Sequence, residues 1–239
     1  MTAALILKDV SKARGSGPQA TQALVEVSLH IEPGEVLALQ GPSGAGKTTL
    51  LSVAGGLLEA DAGEVVLAGR PLGGDRAADR AHRARSVGFV FQRPNLLSRL
   101  TVRENVLLAA AMAGLSTDQA EREAASLLDA LGLQGLASRL PDQLSGGQEQ
   151  RCAVARALIH RPAVLLADEP TGSLDSKSGA RVAEQLLSIA KERGAAVVIA
   201  THDDGLAARC ERRVRIVDGR LEEEQSRRPE ETRPTGTGA

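Results

Sequence analysis

The sequence predicts an α/β protein built on a mainly parallel sheet with helices on both faces. Two observations carry that expectation. From Pro162 onward, apolar runs rich in Val, Ile, Leu and Ala alternate with helical stretches: strand-like 163–167, a helix near 177–191, strand-like 195–200, a short helix near Gly205, then strand-like 214–217. Strands joined by helices of that length run parallel, and a strand buried on both faces reads as a continuous apolar run. Earlier in the chain, the short apolar run 36–39 leads into a glycine-rich loop and a helix starting near Lys47. Strand, glycine loop and helix in that order are the parts of a phosphate-binding unit.

The remaining elements follow in chain order. Residues 4–7 form one candidate strand. Val25, Val27, Leu29 and Ile31 alternate with Glu26, Ser28 and His30, the pattern of a half-buried strand, and Pro33-Gly34 makes the turn after it. Residues 63–70 read as a strand closed by a Gly-Arg turn, and 87–91 as another. Between them, 71–86 is rich in arginine and lacks an apolar face, which predicts a solvated loop and helix. From Pro94 the character turns helical. Thr101 with Glu104, Ser116 with Gln119, and Ser145 with Gln148 are three capping boxes, the last before a helix over 150–159. The stretch 222–239 is charged, contains proline and is nearly free of large apolar residues, so disorder is expected there.

Composition narrows the function classes. A length of 239 residues suits one sizeable domain, and 42 % hydrophobic with 25 % charged residues is ordinary for a globular chain. The 29 basic and 30 acidic residues leave a net charge of −1, so nothing draws the protein to nucleic acid. With aromatics at 1 % and no Trp or Tyr, base-stacking platforms for single strands are missing too. The two cysteines, Cys152 and Cys210, make no disulfide framework and read as small buried apolar residues. The N-terminus lacks a signal-peptide pattern and no apolar run approaches the ~20 residues of a membrane span. A cytoplasmic protein is expected, and any membrane part of its task must come from another chain.

Gly41, Pro42, Ser43, Gly44, Ala45, Gly46, Lys47 and Thr48 fit the GxxxxGK[ST] phosphate loop, with Thr49 following in the helix. Glycines let the backbone wrap around phosphate oxygens with its amides inward, and the helix behind adds a favourable dipole. Lys47 can reach the β and γ phosphates, and the Thr48 hydroxyl can ligate Mg²⁺.

Further motifs narrow "nucleoside triphosphate" to a family. Leu144-Ser145-Gly146-Gly147-Gln148, followed by Glu149-Gln150-Arg151, resembles the signature sequence of ABC ATPases. Residues 164–169, ending in Asp168-Glu169, resemble their Walker B strand. Gln92 resembles the Q-loop glutamine, Ser173-Leu174-Asp175 the D-loop, and His202 the switch histidine. The resemblance covers about residues 5–221. It implies an N-terminal antiparallel β subdomain, a phosphate-loop NTPase core, and an inserted helical subdomain at about 94–160 that carries the signature, all within one domain over 1–221. It also implies ATP and Mg²⁺ as cofactors. Asp168 would hold Mg²⁺ together with Thr48 and Gln92, Glu169 would act as base or orient water, and His202 would contact the γ phosphate. Ser145, Gly146, Gly147 and Gln148, with Asp175, would meet the nucleotide held by a second copy. One phosphate loop and one signature per chain then imply a two-fold dimer around two ATP molecules. His30, His82 and His160 lack such a context and read as structural.

Residues 91–106 and 168–176 further resemble the lipoprotein-releasing and macrolide-exporter branch, whose ATPases pair with integral membrane permeases. The implied protein is an ATPase peripheral at the inner face of the membrane, hydrolysing ATP to power a permease and binding no nucleic acid. The alternative is a similar ATPase that signals through a membrane protein without transport, as in cell-division regulators. Two departures stand out. Where the family has an adenine-stacking aromatic, this chain has Ala13 or Arg14, and the Arg14 guanidinium could stack on the base instead. Ser173 stands where the branch usually has Asn.

Overall fold

The computed structural model describes residues 2–15 and 21–226. β1 (Leu5–Arg14) pairs antiparallel with β2 (Thr21–Ile31) on one side and with β4 (Ala62–Leu67) on the other, and β5 (Arg70–Pro71) closes this four-stranded sheet beyond β4. Leu5 and Leu7 lie opposite Ile31 and Leu29. The alternation expected in β2 holds from Val27 to Ile31, with His30 and Ser28 outward. It fails at Val25, because the ladder is bulged there and Glu26 takes φ 50, so Leu24 is the residue that turns fully inward. The expected strand over 63–70 is a hairpin instead: Ala68 and Gly69 both adopt positive φ and fold β5 back on β4.

The second sheet holds β3 (Val36–Gln40), β6 (Val87–Val90), β7 (Val164–Asp168), β8 (Ala196–Ala200), β9 (Arg212–Val217) and β10 (Arg220–Ser226). Its order is β10-β9-β3-β8-β7-β6, parallel throughout except for β10, which runs antiparallel on β9. The mixed α/β class and its mainly parallel sheet agree with the expectation. Side chains alternate across the sheet, so adjacent residues serve two different cores. Val164, Leu166, Val198, Leu37 and Leu39 pack toward α1 (Lys47–Ala54) and the four-stranded sheet. Leu165, Ala167, Val197, Ile199 and Ala38 pack toward α3 (Val102–Ala113), α4 (Thr117–Ala130), α5 (Gly146–Leu158) and α6 (Ser176–Glu192). Each fully buried leucine contributes roughly 1.5–3 kcal/mol, so aliphatic layers on both faces make up for the missing aromatic bulk.

All three capping boxes form. Thr101 caps α3, Ser116 caps α4, and Ser145 caps α5, where the Ser145 amide donates to Gln148 Oε1 at 2.8 Å. Consequently α5 starts at Gly146, directly behind its cap. The arginine-rich segment contains α2 (Arg76–Ser86), whose one buried residue is Ser86. It is nevertheless fastened: Arg83 donates to the Gly56 carbonyl at 2.7 Å, and Arg70 pairs with Asp79 at 3.2 Å.

The disorder expected from Glu222 onward needs correction at its start. β10 continues to Ser226 because it pairs with β9, with Glu222 opposite Arg215, a cross-strand pair of opposite charge that the composition argument did not weigh. Residues 227–239 lie outside the described residues. Among the described residues, no helix is long and apolar enough to cross a membrane.

Both cysteines are buried and unpaired. Burial pushes the Cys152 thiol up to about 12 and the Cys210 thiol up to about 11. The native protein is therefore expected to resist maleimide labelling at pH 8 and to take up two equivalents once denatured. Rapid labelling of the folded chain would contradict the packing around either thiol.

Candidate functional site

The phosphate loop leaves the end of β3 and is pressed against the hairpin between β9 and β10. A Cβ on Gly41 would lie 2.2 Å from the Ile216 carbonyl oxygen, and one on Gly46, which has φ 111, would lie 2.4 Å from the Ala23 carbonyl oxygen. Only glycine fits at such approaches. The loop is also bonded from behind, since the Gly219 amide donates to the Ala45 carbonyl at 3.0 Å. Lys47, the first residue of α1, folds over the loop and donates from Nζ to the carbonyls of Gly41 and Pro42 at 2.7 and 3.0 Å.

β7 delivers Asp168 to the same place. Thr48 Oγ1 donates to Asp168 Oδ2 at 2.7 Å, joining residues that are 120 positions apart. Burial holds the Asp168 carboxyl above its ordinary range, opposed by the Thr48 hydroxyl and reinforced by the neighbouring Glu169 charge. Glu169 follows with φ 47, and its amide donates to the Ala200 carbonyl at 2.9 Å. That left-handed backbone turns the Glu169 side chain toward His202, whose Nδ1 lies 2.8 Å from Glu169 Oε2. The carboxylate is 17 % exposed and the imidazole 73 %, so the pair presents a shielded carboxylate behind an open ring.

These groups line one cavity of about 460 Å³, together with Ser43, Gly44, Thr49, Gln92 and Arg14. Thus Gly41, Pro42, Gly46, Lys47, Thr48, Asp168, Glu169, His202, Gln92 and Arg14 are gathered from both sheets into one place. Ala45 is buried beneath the loop. Ser145, Gly146, Gly147 and Gln148 are not part of this cavity; they open α5 elsewhere on the surface. Asp175 is likewise outside it and caps α6, accepting from the amides of Lys177 and Ser178. Leu174 lies beside Gly146, so the 173–175 loop and the start of α5 form one neighbouring surface.

Two residues that carry the arrangement were given no positioning role by the sequence, although Gln150 stands in the stretch that follows the signature. Gln150, fully buried in α5, donates to the Phe91 carbonyl at 3.0 Å, and Arg156 donates to the carbonyls of Asn95 and Pro94, both at 2.7 Å. Ser173 Oγ donates to the Gln92 carbonyl at 3.1 Å. Gln92 is thereby held between α5 and the 173–175 loop. On a helix, Gln and Arg resemble solvated positions, and only the partner carbonyls give them away. Of the other histidines, His82 contacts the Leu67 carbonyl at 2.8 Å and half-buried His160 the Val87 carbonyl at 3.1 Å, while His30 sits exposed by Glu32.

Residues 24–172 match the protein family described as ABC transporter. The chain belongs to the ABC transporter family. Among relatives of this ABC chain, the uncharacterised ABC transporter ATP-binding protein YbbA of Escherichia coli K12 is 45 % identical over 216 residues, covering 90 % of this chain and 95 % of YbbA. The lipoprotein-releasing system ATP-binding protein LolD of Granulibacter bethesdensis is 45 % identical over 219 residues, covering 91 % and 96 %. Among solved structures, the dimeric ATP-binding cassette MJ0796 in a post-hydrolysis state with ADP and Pi superposes with a TM-score of 0.86 at 38 % identity, covering 94 % of this chain and 99 % of that one. Membership makes this ABC chain an ATP-hydrolysing subunit of the YbbA and LolD kind.

Proposed function

We propose that two copies of this chain close around two ATP molecules and that hydrolysis reopens them, moving a membrane permease at each cycle. The observation that carries this reading is the division of the site. The phosphate loop, Asp168, Glu169 and His202 share one cavity, while the capped N-terminus of α5 lies apart from it, where a second copy could bring it to the nucleotide. The dimeric state of the related cassette supports the same geometry.

Within each cavity, the loop amides and Lys47 would hold the phosphates. Thr48, Asp168 and Gln92 offer only oxygen donors to a metal, which suits Mg²⁺, and the raised Asp168 carboxyl is a group that a divalent cation would settle in its ionised form. The ion would supply charge neutralisation at the phosphates. Glu169 would orient and deprotonate the attacking water, and His202 would steady Glu169 while its exposed ring meets the γ phosphate.

The permease would dock where the Gln92 segment meets α3. A hollow of about 340 Å³ there is lined by Phe91, Asn95, Ala109, Arg156 and the exposed Met112, and Leu108 of α3 and Leu97 are exposed as well. Because Gln150, Arg156 and Ser173 hold that segment, motion of a docked permease would reach Gln92. On this reading the chain would be a peripheral subunit at the inner face of the membrane. The relatives carry transporter names, which favours transport over a signalling role.

Affinity purification of the tagged chain from gently solubilised native membranes tests the partner. A permease with few spans and a large external domain is the expected companion, as in the lipoprotein-releasing branch. Intact ATPase activity with no integral membrane protein retained would overturn the permease reading.

A further inference from the structure

We propose that the arginine face of α2 and the two leucines that follow α1 form a docking surface for an anionic phospholipid headgroup; this rests on the peripheral membrane reading above. A cavity of about 510 Å³, which shares no lining residue with the nucleotide cavity, lies between the end of α1, β4 and α2. Arg76, Arg80 and Arg83 line it from α2, Leu57 and Leu58 from the segment after α1, and Val65 from β4.

The spacing i, i+4, i+7 sets the three arginines one above another on a single helix face. Like charges one turn apart repel, and Arg76 is the first residue of α2, where the positive end of the helix dipole also disfavours a cation. The fold leaves this charge largely unanswered. Arg80 is exposed and makes no hydrogen bond or ion pair among the described residues. Arg76 faces Glu59 at 3.6 Å with both side chains exposed, too far for a hydrogen bond. Asp79, the other carboxylate of the cavity, is engaged by Arg70 at 3.2 Å and by the Gly73 amide at 2.9 Å. Arg83 gives one donor to the Gly56 carbonyl at 2.7 Å, which ties α2 to the end of α1 and fixes the shape of the cavity. An anion at its mouth would relieve the repulsion along α2.

A phosphodiester offers two oxygens at once to a planar guanidinium. What singles out a phospholipid among phosphates is the apolar part of the surface. Leu57 and Leu58 are 44 % and 39 % exposed at the same cavity, and a free phosphate has nothing to lay against them. Basic side chains beside exposed leucines are the pattern of a surface that rests on an anionic bilayer. With a net charge of −1 over the whole chain, the attraction is local to this face. Its position agrees. α2 also supplies Ala84 to the hollow where the permease would dock, so a docked chain sets the arginine face beside the permease, where inner-leaflet headgroups lie.

Flotation of the full chain with mixed phosphatidylglycerol and phosphatidylcholine vesicles, against phosphatidylcholine alone, tests this. Binding is expected to the anionic vesicles only and should weaken at raised ionic strength. Arg76→Gln with Arg80→Gln should lower the affinity about 25-fold, about fivefold for each arginine, and Leu57→Ser with Leu58→Ser should weaken it as well. Arg122→Gln with Arg209→Gln removes the same charge from exposed positions outside the cavity and should leave binding within about twofold. Glutamine matches arginine in helix propensity and Arg83 stays in place, so the variants should fold, and their ATPase activity checks it. Equal binding to both kinds of vesicle, an equal loss in the Arg122 and Arg209 control, or displacement from the vesicles by equimolar inorganic phosphate overturns the inference. No flotation, with a permease still retained in affinity purification, removes the lipid contact alone. Flotation with no permease retained leaves the lipid contact standing and removes the permease reading.

Discussion

Glu169→Gln is expected to lower ATP turnover by roughly 10²–10⁴-fold, the range lost when a positioned general base is removed, while ATP binding survives. The substitution keeps the size of the side chain and the left-handed backbone at φ 47, so the carbonyl of the new amide can still face His202. What it removes is the capacity to take a proton. The loop, Lys47 and Thr48 remain, so the bound nucleotide persists and the closed dimer should accumulate. Phosphate release under saturating ATP measures the first effect, and size-exclusion chromatography with ATP measures the second. Turnover within a few-fold of the native chain would take the base role away from Glu169.

Lys47→Ala and Ser145→Arg should each abolish turnover alone and restore part of it when mixed. In either homodimer both composite sites carry a defect. In the mixed dimer, one site combines the intact loop of the Ser145 variant with the intact α5 terminus of the Lys47 variant. With equal amounts and random pairing, half of the dimers are mixed and each has one of two sites working, so up to about a quarter of native activity returns. Ser145 is exposed, and losing its cap costs about 1 kcal/mol, so the fold should survive; thermal melts of each variant check that. Absence of any recovery would mean that a single chain carries a self-sufficient site and would sink the shared-site reading.

The parts of the molecule that were legible are those with local causes. The glycine loop, the apolar run before Asp168, and the three capping boxes each depend on residues within about one helical turn or one strand, so spacing alone betrays them. The bulge at Glu26 was illegible because the alternation around it looks unbroken; its cause is the pairing with β1, not the sequence of β2. The strand running on to Ser226 was illegible for a similar reason, since its pairing with β9 outweighs a composition that by itself suggests no structure.

Residue types and their local order thus settled the chemistry this chain can perform: phosphate cradling, carboxylates at a strand end, a capped helix terminus. The fold settled which of these meet. Thr48 reaches Asp168 because β3 and β7 flank β8 in one sheet, Glu169 reaches His202 because β7 and β8 are neighbours, and Gln92 is held by Gln150 and Ser173. It also set the start of α5 and Asp175 outside the cavity. The physical reason is range. Hydrophobic period and capping act over a few residues, whereas strand order and long-range hydrogen bonds are set by the one packing that buries both faces of the central sheet at once.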